Sequence, residues 1–324
     1  MTSKWLKTTA VAGILICSLS APAYAFQTQE KESKLETKVL QEQRDPFVPP
    51  SVLKPQNMQD TPTKKLSELK NRLVKEGLDV LDVLDIFADP RFKIHQNIID
   101  IYTSSPEKKA AAKKLTYERY REILGLDSKI AKAHPFFEKH QQELVKVYEK
   151  YKVDPRYVVS ILGIESDFTE NPGKYQAVNT LVSLYMTRKK DFAYNELKEL
   201  IDFSQKNKED IFRYTSSYAG AIGWAQFIPS SLNSLFVGKS GDFKADPFNL
   251  EDCFYSIAHY LSEHNWNPKY DKEPTASTRN WKAILAYNKS TVYVKAVIEL
   301  ANSIPKDNVN TAIETHGSEK ISNR

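Results

Sequence analysis

Residues 155–167, PRYVVSILGIESD, limit what this chain can fold into more than any other stretch. Asp154 followed by Pro155 reads as a helix start, with a side-chain acceptor at the N-cap and a proline in the first helical position. The run from Tyr157 to Ile164 is apolar nearly all the way round, the pattern of a helix enclosed in a core rather than laid on a surface. Glu165, Ser166 and Asp167 then follow abruptly, and a polar turn, Thr169-Glu170-Asn171-Pro172-Gly173, comes after them. A carboxylate at the end of a buried apolar helix is costly unless it is paired or has a task. Desolvation disfavours its charged form and raises its pKa, which suits a general acid. A glutamate that simply reaches solvent as the helix ends fits the same letters, so this stretch alone leaves both readings open.

The rest of the composition narrows the class. The chain has 324 residues, 41% hydrophobic and 27% charged, enough for one large domain or two modest ones. The net charge of +5 is spread along the chain. Its densest basic pairs, Lys108-Lys109 and Lys113-Lys114, sit on an alanine-rich segment and read as a solvated helix face, so no nucleic-acid partner is expected. Residues 1–25 have the form of an export signal: Lys4 and Lys7, an apolar run over 10–20, then Ala23-Tyr24-Ala25 as an A-x-A cleavage site. The apolar run is too short for a stable membrane span. Cys17 is preceded by Ile16 where a lipoprotein signal has a small residue, so lipid anchoring is not expected. The expectation is an exported, periplasmic protein. Once that signal is removed, Cys253 is the remaining cysteine and no intramolecular disulfide can form.

The sequence divides into a signal (1–25), a proline-containing polar linker (26–63), an N-terminal helical part (64–150), a helical core (151–304) and a polar, frayed tail (305–324). Leu66, Leu69 and Leu73 begin the helical periodicity. Asp79, Asp82 and Asp85 read as a solvated face, since a cation loop needs turns and glycines. A helix break is possible at His134-Pro135. Residues 247–266 read as a helix capped by Asn249 or its neighbour. His259, Glu263 and His264 share one face there, but without the H-E-x-x-H order or a third ligand they are not read as a metal site. Residues 281–301 read as two helices interrupted at Asn288-Lys289-Ser290. No alternating strand pattern is visible, and the fold class is mainly α.

Three segments then stand together: I-L-G-I-E-S-D-F at 161–168, S-Y-A-G-A-I-G-W-A-Q-F-I-P-S-S at 217–231, and A-Y-N-K-S-T-V-Y-V-K-A-V at 286–297. In this order and spacing the chain resembles the membrane-bound lytic murein transglycosylase B family. The middle segment is long and specific, and the likeness runs from about Leu66 to Leu300. The resemblance implies a lysozyme-like helical catalytic core with an N-terminal helical annex. It also implies cleavage of the MurNAc-β-1,4-GlcNAc bond of peptidoglycan without water, leaving a 1,6-anhydro-MurNAc end. By the same resemblance, Glu165 is the single catalytic acid/base. Gln226, Tyr287, Asn288 and Tyr293 fall on the glycan-contacting groove, and Ser217 near the glutamate. Tyr287, Tyr293, Trp224 and Phe227 would stack on sugars, although for these aromatics core packing is the competing reading.

The residues agree with that chemistry. No second carboxylate stands in a comparably apolar setting, and Asp167, two positions on, points away from Glu165 on a helix. One glutamate suffices if the sugar's own C6 hydroxyl is the nucleophile. Relatives can carry a calcium loop of the form D-x-S-G-D-G after the glutamine segment. Here residues 237–243, VGKSGDF, lack the first acid and hold Lys239, so no calcium or only weak binding is expected, and no cofactor. The expected partner is the peptidoglycan glycan strand. A lysozyme-type hydrolase, a non-catalytic peptidoglycan-binding or scaffold protein, and a protein-binding helical adaptor resting on the N-terminal helices are the competing readings.

Overall fold

The computed structural model describes residues 62–103, 115–239, 245–270 and 274–322. The export signal, all but the last two residues of the linker, the lysine pairs at 108–114 and residues 240–243 of the 237–243 loop lie outside the described residues.

The apolar segment forms helix α6, Pro155–Ser166, and every one of its residues is buried. Its start is as the sequence suggests: the Asp154 side chain accepts from the Arg156 N–H at 2.9 Å and Pro155 opens the first turn. A helix that is apolar all round needs neighbours on every side. They are α5 (Leu126–Tyr151), α10 (Leu250–Glu263) and α12 (Thr291–Asn302), all packed against α6. Helix α5 runs unbroken through Pro135 for 26 residues, so the possible break at His134-Pro135 is absent. Asn249 caps α10 by accepting from the Asp252 N–H at 3.1 Å. Helix α11 (Arg279–Tyr287) ends where the sequence interrupts, at Asn288, and α12 starts after Ser290.

The N-terminal helices α1 (Pro62–Lys75), α2 (Val80–Ala88), α3 (Gln96–Thr103) and α4 (Tyr117–Leu124) join this assembly through polar as well as apolar contacts. Helix α3 packs on α7 (Ala177–Tyr185), where fully buried Asn179 and Ser183 accept from the backbone N–H groups of Lys93 and His95 at 3.1 and 2.8 Å. On α1, the Arg72 guanidinium lies 3.6 Å from the ring centre of Tyr194 on α8 (Lys190–Asn207). One continuous cluster of buried side chains runs from Leu69 to Val309, across residue 150 without interruption.

Among the described residues, strand is confined to an antiparallel pair of two-residue strands, β1 (Tyr175–Gln176) and β2 (Thr215–Ser216). Bridges Ser216–Ile222 and Ile222–Phe227 extend it into the glycine-aromatic stretch, which leads to the short helix α9 (Pro229–Leu235). The tail differs from expectation: Lys306–Ser322 is helix α13, packed on α5, not a frayed end. Ile304 and Val309, 0% and 3% exposed, give its start an apolar foothold that the polar remainder of the tail hides in the sequence. No helix among the described residues is long and apolar enough to cross a membrane.

Two glycines separate backbone conformation from crowding. Gly173 has φ +96° and a Cβ there would stand 2.3 Å from the Ser216 backbone, whereas Gly77, at φ +101°, has nothing within 4 Å. Gly77→Ala is expected to cost about 1 kcal/mol, the left-handed backbone alone. Gly173→Ala is expected to cost about 2–3 kcal/mol, because the Ser216–Ser217 backbone must also move. Urea unfolding of the two variants checks the difference.

Candidate active site

Glu165 is the eleventh residue of α6, and only 1% of it is exposed. The Tyr293 hydroxyl, on α12 and fully buried, donates to Glu165 Oε1 at 2.7 Å. Glu165 Oε2 is buried and has no hydrogen-bond partner. Burial pushes the carboxyl up to about 8, and the Tyr293 hydrogen bond and the nearby Lys129 charge only partly oppose it. At neutral pH the group is therefore mostly protonated, with Oε1 occupied as an acceptor and Oε2 left to carry the proton.

The chain turns sharply just after this residue. Asp167, Phe168 and Thr169 have φ values of 53°, 58° and 78°, three successive non-glycine residues in the left-handed region. Such positions cost on the order of 1–2 kcal/mol each and persist only where the surroundings dictate them. Here Thr169 N–H donates to Ser166 Oγ at 3.2 Å and Asn171 N–H to the Ser166 carbonyl at 2.8 Å. The Phe168 ring folds onto Gly163, where an added Cβ would stand 2.6 Å from it. Asp167 turns away from Glu165 to Lys129 and Lys132, at 3.0 and 3.2 Å.

The glycine-aromatic stretch closes against this turn. Gln226, at φ 53° and 4% exposed, donates from Nε2 to the carbonyls of Gly223 (2.7 Å) and Pro172 (3.2 Å), while its Oε1 is buried without a partner. Ser217 is buried. Its N–H donates to the Ala221 carbonyl at 2.8 Å and its Oγ accepts from the Ala221 N–H at 3.2 Å. Ser217 also lies beside Gly173, whose added Cβ would approach its nitrogen to 2.8 Å. Tyr287 is half-buried, donates to the Ala225 carbonyl at 2.6 Å and raises its own hydroxyl pKa through burial and the Glu165 charge. Asn288, 2% exposed, closes α11 through its N–H to the Ile284 carbonyl at 3.3 Å.

Two expectations change. Tyr293, expected in the glycan groove and stacked on sugar, is fully enclosed between α6 and α12 and serves Glu165 instead. Phe227 is 3% exposed and packs edge-on to Phe236, Tyr260 and Tyr287, so it belongs to the core. Trp224 stays half-buried against Phe248. Two residues that the sequence did not single out join the site. Tyr120 on α4 is fully buried, its hydroxyl has no hydrogen-bond partner, and it feels the Glu165 charge. Lys129 on α5 is 2% exposed and is the cation in the field of Glu165. The stretch Tyr117-Glu118-Arg119-Tyr120-Arg121 stands out as aromatic and basic, but nothing in it marks Tyr120 as inward-facing.

Among the described residues no other carboxylate acts on Glu165. Glu196 is taken by Ser230, whose N–H and hydroxyl both donate at 2.9 Å, and Glu143 by Lys146 and Lys239 at 2.9 and 3.3 Å. The described residues around the 237–243 loop do not fit calcium. The Lys239 ammonium holds Glu251 (2.6 Å) and Glu143 (3.3 Å), and the Asp252 oxygens already accept from the N–H groups of Lys239 and Asp246, both at 2.9 Å. A divalent ion would need several of these oxygens free and would meet the ammonium. His259 pairs with Glu263 at 3.6 Å, and His264 stacks on Tyr260.

Residues 61–278 match the family described as the transglycosylase SLT domain. Over 150 residues the chain is 27% identical to the membrane-bound lytic murein transglycosylase B of Escherichia coli (strain K12). That stretch is 46% of this chain and spans 42% of the relative's length. The fold matches soluble lytic transglycosylase SltB1 of Pseudomonas aeruginosa with a TM-score of 0.65, at 24% identity over 75% of this chain and 99% of that one. It also matches SltB3 of the same organism, solved with NAG-anhNAM-pentapeptide, with a TM-score of 0.65 at 22% identity, over 76% and 79% of the two chains. The family match covers well over half of the sequence and includes Glu165, Ser217 and Gln226, so the chain belongs to the transglycosylase SLT domain family.

Proposed function

We propose that this protein is a peptidoglycan lytic transglycosylase that cleaves the MurNAc-β-1,4-GlcNAc bond and leaves a 1,6-anhydro-MurNAc end. The observation that carries the reading is Glu165, a carboxyl that burial pushes up to about 8, with one oxygen unpartnered and, among the described residues, no second carboxylate acting on it. A two-carboxylate glycosidase needs a partner at about 5–10 Å. With one acid, the substrate supplies the rest. Protonated Glu165 donates from Oε2 to the glycosidic oxygen, and the C1–O bond breaks. The resulting carboxylate is steadied by the Tyr293 O–H and the Lys129 charge. It then takes the proton of the MurNAc C6 hydroxyl as O6 bonds to C1, which restores the acid and consumes no water.

Gln226 Oε1, buried without a partner, would accept an acetamido N–H, and Ser217, Tyr287 and Asn288 would contact the glycan beside it. The relative named lytic murein transglycosylase B and the anhydro-sugar complex of SltB3 support this substrate class. Export to the periplasm, where glycan strands are found, is part of the proposal and rests on residues 1–25.

Digestion of purified sacculi tests it. Muropeptides lighter by one water than hydrolysis products are expected. Hydrated reducing ends would assign a lysozyme-type hydrolase instead. Glu165→Gln is expected to lower release on the order of 10³-fold while keeping sacculus binding. Unchanged release would leave a binding or scaffold role.

The acid form is the one needed, so activity is expected to fall as pH rises through about 8. Stability moves the same way. The folded value lies above the ordinary 4.5, so folding takes up a proton between those two pH values. The native state is most favoured by this group below pH 4.5, loses stability as pH rises, and levels off above 8. Glu165→Gln, neutral at every pH, is therefore expected to be more stable than wild type at pH 7 by about 1–3 kcal/mol in urea unfolding, and to lose that advantage in acid.

A further inference from the structure

We propose that Lys129 is a positioning residue for Glu165: it pins the end of α6 that carries the acid and supplies the buried positive charge in its field. The proposal rests on Glu165 being the acid. Lys129 Nζ donates to the Gly163 carbonyl at 2.9 Å and to Asp167 Oδ1 at 3.0 Å. These two acceptors stand two residues before and two residues after Glu165. One ammonium therefore ties the Gly163 backbone carbonyl before Glu165 to the Asp167 side chain after it, at the start of the strained turn at 167–169.

The side chain is 2% exposed, and its position on α5 is otherwise part of the packed α5–α6 contact. Replacing a buried charge with an apolar residue of similar shape is often neutral or stabilising, so the fold alone does not explain a lysine here. The groups that act on Glu165 are Tyr120 from α4, Lys129 from α5, Tyr287 from α11 and Tyr293 from α12. Helix α10 presents neutral Cys253 to this region. Lys129 itself faces Asp167, Lys132 and Glu170. Among the described groups it is the cation acting on the acid, and its charge is balanced through Asp167, which Lys132 shares.

That balance gives variants with opposite signs. Lys129→Met removes the positive charge and should favour protonated Glu165. Asp167→Asn removes the counter-charge, leaves Lys129 less neutralised and should favour ionised Glu165. The measurement is anhydro-muropeptide release from sacculi by the full chain across pH. The alkaline limb of the profile is expected to move up by about one pH unit in Lys129→Met and down in Asp167→Asn, with the double variant returning towards wild type. A merely structural role would lower both rates without moving the limb. Limbs that stay in place or move in the same direction overturn the proposal. If Lys129→Met does not fold, the downward shift in Asp167→Asn carries the test alone. Wild-type protein that releases no anhydro-muropeptides overturns the functional reading and this proposal together, whereas active variants with unmoved limbs overturn only this one.

Discussion

The site depends on one carboxyl taken out of water with a single hydrogen-bond donor. Glu165 is 1% exposed, accepts only from Tyr293 among the described residues, and sits at the end of a helix whose every residue is buried. Taking such a group out of water in its charged form costs several kcal/mol, so the carboxyl keeps its proton instead. The three helices around α6 exist, in energetic terms, to bury an apolar cylinder. Burying its last turn as well is what turns an ordinary glutamate into an acid at neutral pH. The same enclosure sets the limit on the reaction, because the ionised form is tolerated only through the Tyr293 hydroxyl and the Lys129 ammonium.

Part of the strain and of the unmet hydrogen-bonding capacity of the described residues lies around this residue. Three left-handed residues follow it, Gln226 adopts φ 53°, and Glu165 Oε2, Gln226 Oε1 and the Tyr120 hydroxyl are buried without partners. Each would be unfavourable in a chain selected for stability alone. Their convergence on one end of α6, rather than their number, gives them meaning. They leave one proton donor and one amide acceptor uncommitted beside a turn anchored by Ser166 and Pro172. The Lys239 ammonium engages Glu143 and Glu251, carboxylates that an ion would otherwise draw together.

How far the sequence could be read depended on how local each signal was. The Asp154 cap, the Pro155 start, the largely apolar and fully buried α6, the Asn249 cap of α10 and the break at Asn288 are all carried by neighbouring residues, and all are present. Glu165 itself was ambiguous until the glycine-aromatic segment and the Asn288 segment were set beside it. Tyr293 shows the opposite case: an aromatic near a functional segment reads the same whether it faces sugar or core, and only the packing of α12 on α6 decides. Tyr120 and Lys129 come from helices well upstream and have no local mark at all. Pro135 inside α5 and the helix beyond Ile304 were misread for a related reason, since contacts with distant elements outweigh a local helix breaker or a polar tail.

Burial is what keeps Glu165 protonated near neutral pH. Carbon-13 nuclear magnetic resonance of the glutamate side-chain carboxyls, with the Glu165 signal assigned by its loss in Glu165→Gln, measures this in the free protein. One glutamate signal, that of Glu165, is expected to titrate near pH 8. A Glu165 signal that titrates with the others, near the usual value of about 4.3, would contradict it.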